Sequence, residues 1–244
     1  MQQIKIESVD EYLRDDIRLE RDRKKVYKKF KREFRLMLRS MAFKTALFLK
    51  RLLDVSGSIA GLALLSPILI VTAILIKSES VGPVFYQQER VGRWGRKFRM
   101  YKFRSMYQDA DGLRASLLDD NEMDGGVIFK IRHDPRITKV GKFIRRASID
   151  ELPQLINVLK GEMSLVGPRP ALQSEVDLYS LKDRRRLMLT PGITCLWQVN
   201  GRSEIPFDQQ VKLDLAYMES QSLWEDIKII AKTMPAIVSG KGAF

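Results

Sequence analysis

Cysteine and histidine are almost absent from this chain of 244 residues: Cys195 and His133 each stand alone. A single cysteine excludes an intramolecular disulfide. A single histidine leaves no material for a histidine-rich metal site or a Ser-His-Asp triad. His133 lies in a polar stretch and reads as structural or solvated. The chain holds no Gly-x-Gly-x-x-Gly fingerprint, no Walker phosphate loop, no zinc-ligand spacing and no internal repeat. Its N terminus opens on charged residues without an apolar core, so it does not read as a secretory signal. Long apolar runs are also missing, with one exception at residues 52–76.

Positive charge is plentiful. The formal net charge is +13 and the isoelectric point about 9.8. Such an excess accompanies anionic partners: nucleic acid, phosphorylated ligands or acidic lipid. The 45% hydrophobic content suffices for a packed core, read as one domain with an appendage, two domains not being excluded. The pattern divides into a basic arm (1–48), an apolar segment (49–78) and a third part (79–244) of mixed composition. Residues 1–25 suit a solvated helix or disorder. In 26–48, Tyr27, Phe30, Phe34, Met37 and Met41 recur at helical spacing among Lys and Arg. That pattern fits a helix lying in a membrane interface facing anionic lipid, or one packed on the protein's own core.

Residues 52–76 would reach about 37 Å as a straight helix, enough for a hydrocarbon core of about 30 Å. A single transmembrane helix is the simplest reading. Ser66-Pro67 in its middle argues for a break, and Asp54, Ser56 and Ser58 face lipid poorly. Basic residues stand on both flanks: Lys44, Lys50 and Arg51 before, Lys77, Arg90, Arg93, Arg96 and Lys97 after. The positive-inside rule then places both ends in the cytoplasm, which a re-entrant helix-break-helix satisfies.

Val84–Val91 and Phe98–Arg104 read as strands of a β-hairpin around Gly92-Arg93-Trp94-Gly95, with Lys102 and Arg104 on one face. Residues 107–126, ending Asp124-Gly125-Gly126, suggest a surface helix and loop. A helix is expected within 171–189, a turn at 190–194 and a strand at Leu196–Val199, leading to Arg202 on a turn. Ser222 and Glu225 form a capping box for a last amphipathic helix closed by Pro235.

The densest chemistry lies in residues 145–170. Leu152, Leu155, Ile156 and Leu159 give a short amphipathic helix that ends at Lys160 and Gly161. Pro153 is tolerated only in the first turn, so Asp150 and Glu151 sit at the helix start. Ser148 and Glu151 also match a capping box. Helix dipole and backbone N–H groups favour an ionised carboxylate there and a phosphate beside it. Arg145, Arg146 and the proline-bracketed Arg169 add positive charge. The arrangement suits phosphoryl transfer; the alternative is two acids that cap a helix, balanced by arginines.

From about residue 47 to the C terminus the chain resembles the bacterial sugar transferase family, monotopic phosphoglycosyl transferases acting on polyprenyl phosphate. The resemblance runs through Lys50-Arg51, Ser66-Pro67, Gly82-Pro83-Val84-Phe85 and Tyr101-Lys102-Phe103-Arg104. It continues through Asp134-Pro135-Arg136-Ile137-Thr138, Asp150-Glu151-Leu152-Pro153-Gln154 and Gly167-Pro168-Arg169-Pro170. Pro191-Gly192-Ile193-Thr194, Gln198-Val199-Asn200-Gly201-Arg202 and Gly242-Ala243-Phe244 complete it. Cys195 departs from the glycine common at that place in the family. The resemblance implies a mostly helical α/β domain with a small β-hairpin or sheet. Interfacial helices and a hairpin broken at Ser66-Pro67 would anchor it at the cytoplasmic face of the bacterial inner membrane. It implies transfer of a sugar 1-phosphate from a UDP-sugar to undecaprenyl phosphate with release of UMP. Asp150 matches the nucleophile and Glu151 its neighbouring acid, the pair that would also meet Mg²⁺. Lys102, Arg104, Arg145, Arg169 and Arg202 match substrate-holding positions. A nucleic-acid-binding module would account for the charge but not for 52–76; a membrane scaffold would leave the acid pair incidental.

Overall fold

The computed structural model describes residues 2–108, 110, 112, 134–201 and 205–239, with side chains from 28 to 235 within those ranges. The expectations at His133, at Arg202, at Asp124-Gly125-Gly126 and at the C-terminal Gly242-Ala243-Phe244 lie outside the described residues. The chain divides into two compact units, 1–49 and 50–244. Helix α1 (Gln2–Glu79) supplies the first unit and opens the second.

In the first unit every described side chain, from 28 to 49, is exposed. Phe30 and Phe34 stack at 6.2 Å between ring centroids, as neighbours one helical turn apart do.

In the second unit α1 carries two unlike faces. Asp54, Ser58, Thr72 and Ile76 are buried, with Gly57, Gly61, Leu65 and Leu69 half-buried along the same helical stripe. Leu52, Ile59, Leu64, Ile68, Ile70, Val71, Ile74 and Leu75 are exposed. The helix contains a window of mean hydropathy 2.6 with only 11% of it buried, long and apolar enough to cross a membrane. Here the structure departs from the expected pair of helices, because α1 continues through Pro67. Proline has no N–H to give the Ala63 carbonyl. The Ser66 hydroxyl donates to that same oxygen at 2.8 Å, so the position stays satisfied.

After α1 comes the expected hairpin, β1 (Phe85–Val91) and β2 (Lys97–Phe103), antiparallel with Tyr86 opposite Lys102 and Gln88 opposite Met100. Helix α2 (Lys139–Arg146) starts at Thr138, whose side chain accepts from the Gly141 N–H. A 3₁₀ turn (Ile149–Glu151) leads into α3 (Gln154–Lys160), and Gly161 closes α3 in the left-handed conformation at φ 81°. Strand β3 (Ser164–Val166) pairs in parallel with β4 (Gly192–Thr194). Gly167 and Gly192 meet there so closely that a Cβ on Gly192 would overlap the Gly167 backbone. Between these strands lie α4 (Gln173–Asp177) and a 3₁₀ turn (Asp183–Met188), two short pieces where one helix was expected. The fold is thus mostly helical, with two small sheets among the described residues.

Residues 196–199, expected as a strand, belong to α5 (Leu196–Asn200). Leu196 and Val199, three residues apart, both pack on the buried group Val166, Tyr217 and Ile229, which a helix allows and a strand does not. Helix α6 (Phe207–Ser220) precedes α7 (Leu223–Ser239). Half of the expected box at α7 is present: the Glu225 N–H donates to the Ser222 hydroxyl. Pro235 does not close α7 but lies within it.

The core that positions the site joins β2, α3 and the segment after it through Met100, Val158 and Met163. Each such side chain, fully buried, is worth about 1.5–3 kcal/mol. Asn157, 0% exposed, pins α3 to β2: its Oδ1 accepts from the Tyr101 N–H and its Nδ2 donates to the Arg99 carbonyl.

Candidate active site

Asp150 and Glu151 occupy the 3₁₀ turn immediately before α3, the expected place. The expected capping box is not formed. Ser148 adopts a left-handed conformation (φ 55°) and makes no capping bond, so Glu151 is left to other partners. Its partner comes from β2: Lys102 Nζ donates to Glu151 Oε1 at 2.8 Å and lies 3.9 Å from Asp150 Oδ2. The Asn157 bonds to the backbone on either side of Met100 hold that strand against α3, fixing this distance.

The two acids are unequal. Burial, with Glu151 beside it, pushes the Asp150 carboxyl up to about 6 against the pull of Lys102 and Arg145. The helix start and nearby arginines are expected to favour the ionised carboxylate; burial works against them, and a value of about 6 still leaves the group mostly ionised at neutral pH. For Glu151 burial also acts upward, but Lys102, Arg169 and Arg90 outweigh it and hold the carboxyl below the ordinary glutamate range. Glu151 lines a cleft; Asp150, 7% exposed, does not.

Three cations line the same cleft: Lys102, Arg90 and Arg169. Arg169 belongs to the Gly-Pro-Arg-Pro loop, which the Val91 N–H bonds at Ala171 O (2.8 Å) and Arg90 at Pro170 O (3.1 Å). Among the described residues Arg169 makes no hydrogen bond or ion pair, and it is exposed. Burial, then the nearby Arg169, lower the Arg90 guanidinium to about 10. Two guanidiniums facing one cleft with so little counter-charge describe a seat for an anion. Met100, Pro170 and Ile193 give the cleft an apolar wall, and Gln154 and Gln198 line it too.

Of the other expected site residues, Arg145 is half-buried at the end of α2, outside the cleft lining, and acts on Asp150 through its charge. Arg104 is not in the cleft. It follows the last residue of β2, and its guanidinium donates to Val81 O (2.7 Å), Ser80 O (2.8 Å) and Ser80 Oγ (2.9 Å), fastening the exit of α1. Arg202 lies outside the described residues. Arg90, Gln154 and Gln198 were not anticipated. The hairpin register carries a signal for Arg90, since antiparallel pairing puts it on the Lys102 face. Cys195 is buried, and its thiol, pushed well up by burial, donates to Gln198 Oε1 at 3.0 Å, a packing role.

No third His, Cys, Asp or Glu joins the acid pair among the described residues. Two adjacent carboxylates nonetheless suit Mg²⁺, which takes one or two carboxylates and fills its shell from water and phosphate.

The family model for bacterial sugar transferases matches residues 45–240. This chain belongs to the bacterial sugar transferase family. Among curated members of that family, galactosyl transferase CpsE of Streptococcus agalactiae serotype III (strain NEM316) is 50% identical over 198 residues, 81% of this chain and 44% of its own length. Undecaprenyl-phosphate galactose phosphotransferase of Salmonella typhimurium (strain LT2) is 42% identical over 208 residues, 84% of this chain and 44% of its own. Exopolysaccharide production protein ExoY of Sinorhizobium fredii is 37% identical over 198 residues and is covered over 88% of its length. The chain thus spans less than half of the first two relatives and most of the third.

Proposed function

We propose that this bacterial sugar transferase moves a sugar 1-phosphate from a UDP-sugar to undecaprenyl phosphate and releases UMP, an initiating step of exopolysaccharide, capsule or O-antigen assembly. One observation carries the reading: a lysine shared by adjacent carboxylates stands beside Arg90 and Arg169, in a cleft lined by three cations and a single carboxylate.

The chemistry follows from these groups. Lys102, Arg90 and Arg169 draw the donor's diphosphate into the cleft. A carboxylate oxygen of Asp150 attacks the β-phosphorus, and the bond from that phosphorus to the oxygen bridging to the α-phosphate breaks. UMP leaves with the electron pair, and the sugar phosphate remains on Asp150 as an acyl phosphate. A phosphate oxygen of the lipid acceptor then attacks the same phosphorus, giving undecaprenyl diphosphate-sugar and a free Asp150 carboxylate. Glu151, kept ionised by Lys102, holds that ammonium against the reacting phosphate. Asp150 and Glu151 are the residues that would hold Mg²⁺, which would offset the charge that builds on the UMP phosphate as it leaves.

A second reading gives the attack to Glu151, because Glu151 lines the cleft and Asp150 does not. The ion pair at 2.8 Å from Lys102 to Glu151, against 3.9 Å to Asp150, favours Asp150 as the freer carboxylate.

For topology, both ends of residues 50–79 bond the same unit. Arg51 donates to the Val158 and Leu159 carbonyls, and Glu79 accepts from the Lys139 and Val140 N–H groups. A straight span would separate these ends by a bilayer. Their common docking supports attachment through the cytoplasmic leaflet of the inner membrane, with the exposed apolar face of α1 toward lipid. Basic residues of 28–48 would meet anionic headgroups.

The deciding experiment is UMP release from a panel of UDP-sugars with undecaprenyl phosphate and Mg²⁺ in detergent. Release from one or more donors supports the reading; release from none sinks it.

A further inference from the structure

Among the described residues of the second unit three side-chain amides are buried, and they are treated differently. Asn157, 0% exposed, makes bonds to Tyr101 N, Arg99 O and Glu162 Oε2. Gln210, 2% exposed, donates to Ile205 O. Gln154 is 3% exposed, lines the cleft, and has no hydrogen-bond partner among the described residues. The body of the side chain is covered while its amide end opens into the cleft, where it stands free for a ligand. Neighbouring Gln198 differs again, since its Oε1 already accepts from Cys195.

The kind of ligand follows from what an amide offers. Phosphate oxygens only accept at neutral pH, and Lys102, Arg90 and Arg169 already face the cleft to serve them. A phosphate contact would use the Gln154 NH₂ and give Oε1 no partner from the ligand. A hydroxyl both donates and accepts, so unlike a phosphate oxygen it can serve either end of the amide. Gln154 follows Glu151 by three residues, and both line the one cleft, so a bound hydroxyl would lie close to the reacting phosphate.

We infer that Gln154 is a donor-binding residue that pairs its amide with a hydroxyl of the sugar nucleotide. The inference rests on the proposed transfer reaction. The hydroxyl belongs either to the hexose or to the ribose.

The test is a cycle between enzyme and donor. Wild type, Gln154→Met and Gln154→Glu are assayed for UMP release with the accepted UDP-sugar. They are then assayed with its 2′-deoxyuridine and 3′-deoxyuridine analogues and with donors deoxygenated at each hexose hydroxyl. Gln154→Met should lose on the order of tenfold to a hundredfold in kcat/KM with the full donor, at an unchanged melting temperature. Wild type should lose similarly with one deoxy donor, and Gln154→Met should lose nothing further with it. That donor identifies the sugar ring. Gln154→Glu keeps the size and the acceptor but not the NH₂ donor, so it guards against misfolding of the methionine variant and should lose less than wild type, but more than Gln154→Met, with that same donor. Losses that multiply for every analogue, or variants equal to wild type, would overturn the assignment. A wild type inactive with every donor would instead bring down the transfer reaction, and the inference with it.

Discussion

Lys50 and Lys102 both face carboxylates under cover of the fold, 13% and 18% exposed, and the fold serves them differently. Lys50 uses three donors: Asp226 Oδ2 at 2.7 Å, Val166 O at 3.1 Å and Tyr217 Oη at 3.3 Å. Tyr217 in turn donates to Asp226 Oδ1 at 2.5 Å, and burial, with Asp226 beside it, pushes its hydroxyl far up, so it stays a donor. Close by, Asp54 accepts from Ser164 Oγ and Leu165 N. The ammonium and both carboxylates there are hydrogen-bonded within the fold. Lys102 makes one hydrogen bond, to Glu151, and Arg169 makes none among the described residues. A closed network holds elements together; an open one keeps donors for a ligand. The first ties α1 to the catalytic unit, and the second is the cleft.

This contrast breaks most visibly at Lys50. Lys50→Met leaves Asp226 charged, buried and short of its partner, a loss of about 3–5 kcal/mol in stability. Thermal unfolding in detergent should show it, while kcat/KM of the protein that remains folded stays within a few-fold of wild type. Lys102→Met should weigh the other way: about 10²–10³-fold lower kcat/KM, by analogy with loss of one electrostatic contact at a transition state, and a smaller loss of stability than Lys50→Met, because Glu151 is 25% exposed where Asp226 is 1%. Equal damage to stability and turnover in both variants would erase the distinction.

Arg169→Lys tests whether the open cation acts as a fork. Lysine keeps the charge but not the paired N–H geometry, so kcat/KM should fall on the order of tenfold to a hundredfold at low donor. Unchanged turnover would make Arg169 a surface charge.

The acid pair gives a finer test by pH. Asp150 must be ionised to attack, so kcat/KM should fall tenfold per unit below an apparent pKa of about 6, belonging to the coupled pair. Stability runs the other way. A carboxyl raised on folding contributes stability fully below its unfolded value near 3.8, and that contribution is lost as pH rises through about 6. Asp150→Asn should therefore be more stable than wild type at pH 7–8, by on the order of 2 kcal/mol, and the gap should close toward pH 4. Urea titrations at the two pH values measure it. A gap that widened in acid would reverse the assignment.

Local patterns were legible in the sequence and long-range partners were not. Alternation from 84 to 104 marks the hairpin, and Pro153 with Gly161 brackets α3, because each signal lies within a few residues of its effect. Pro67 misled: the hydroxyl of the residue before it satisfies the carbonyl that proline abandons. Leu196–Val199 misled because four apolar-rich residues fit strand and helix equally until their packing partners are known. Arg104 shares a face with Lys102 by alternation, yet it follows the last residue of β2 and is claimed by Ser80 and Val81. Arg90 and Gln154 became visible only once β1, α3 and the Gly-Pro-Arg-Pro loop were brought to one cleft.

The covalent step at Asp150 is the centre of the account, and one trapping experiment addresses it. The enzyme is incubated with Mg²⁺ and its UDP-sugar, without lipid acceptor, and examined by intact mass and peptide fragmentation. The account predicts up to one equivalent of UMP and a sugar-phosphate adduct on Asp150, lost in Asp150→Asn and still on Asp150, at lower yield, in Glu151→Gln. An adduct on Glu151, or UMP released only when undecaprenyl phosphate is present with no adduct trapped, would contradict it.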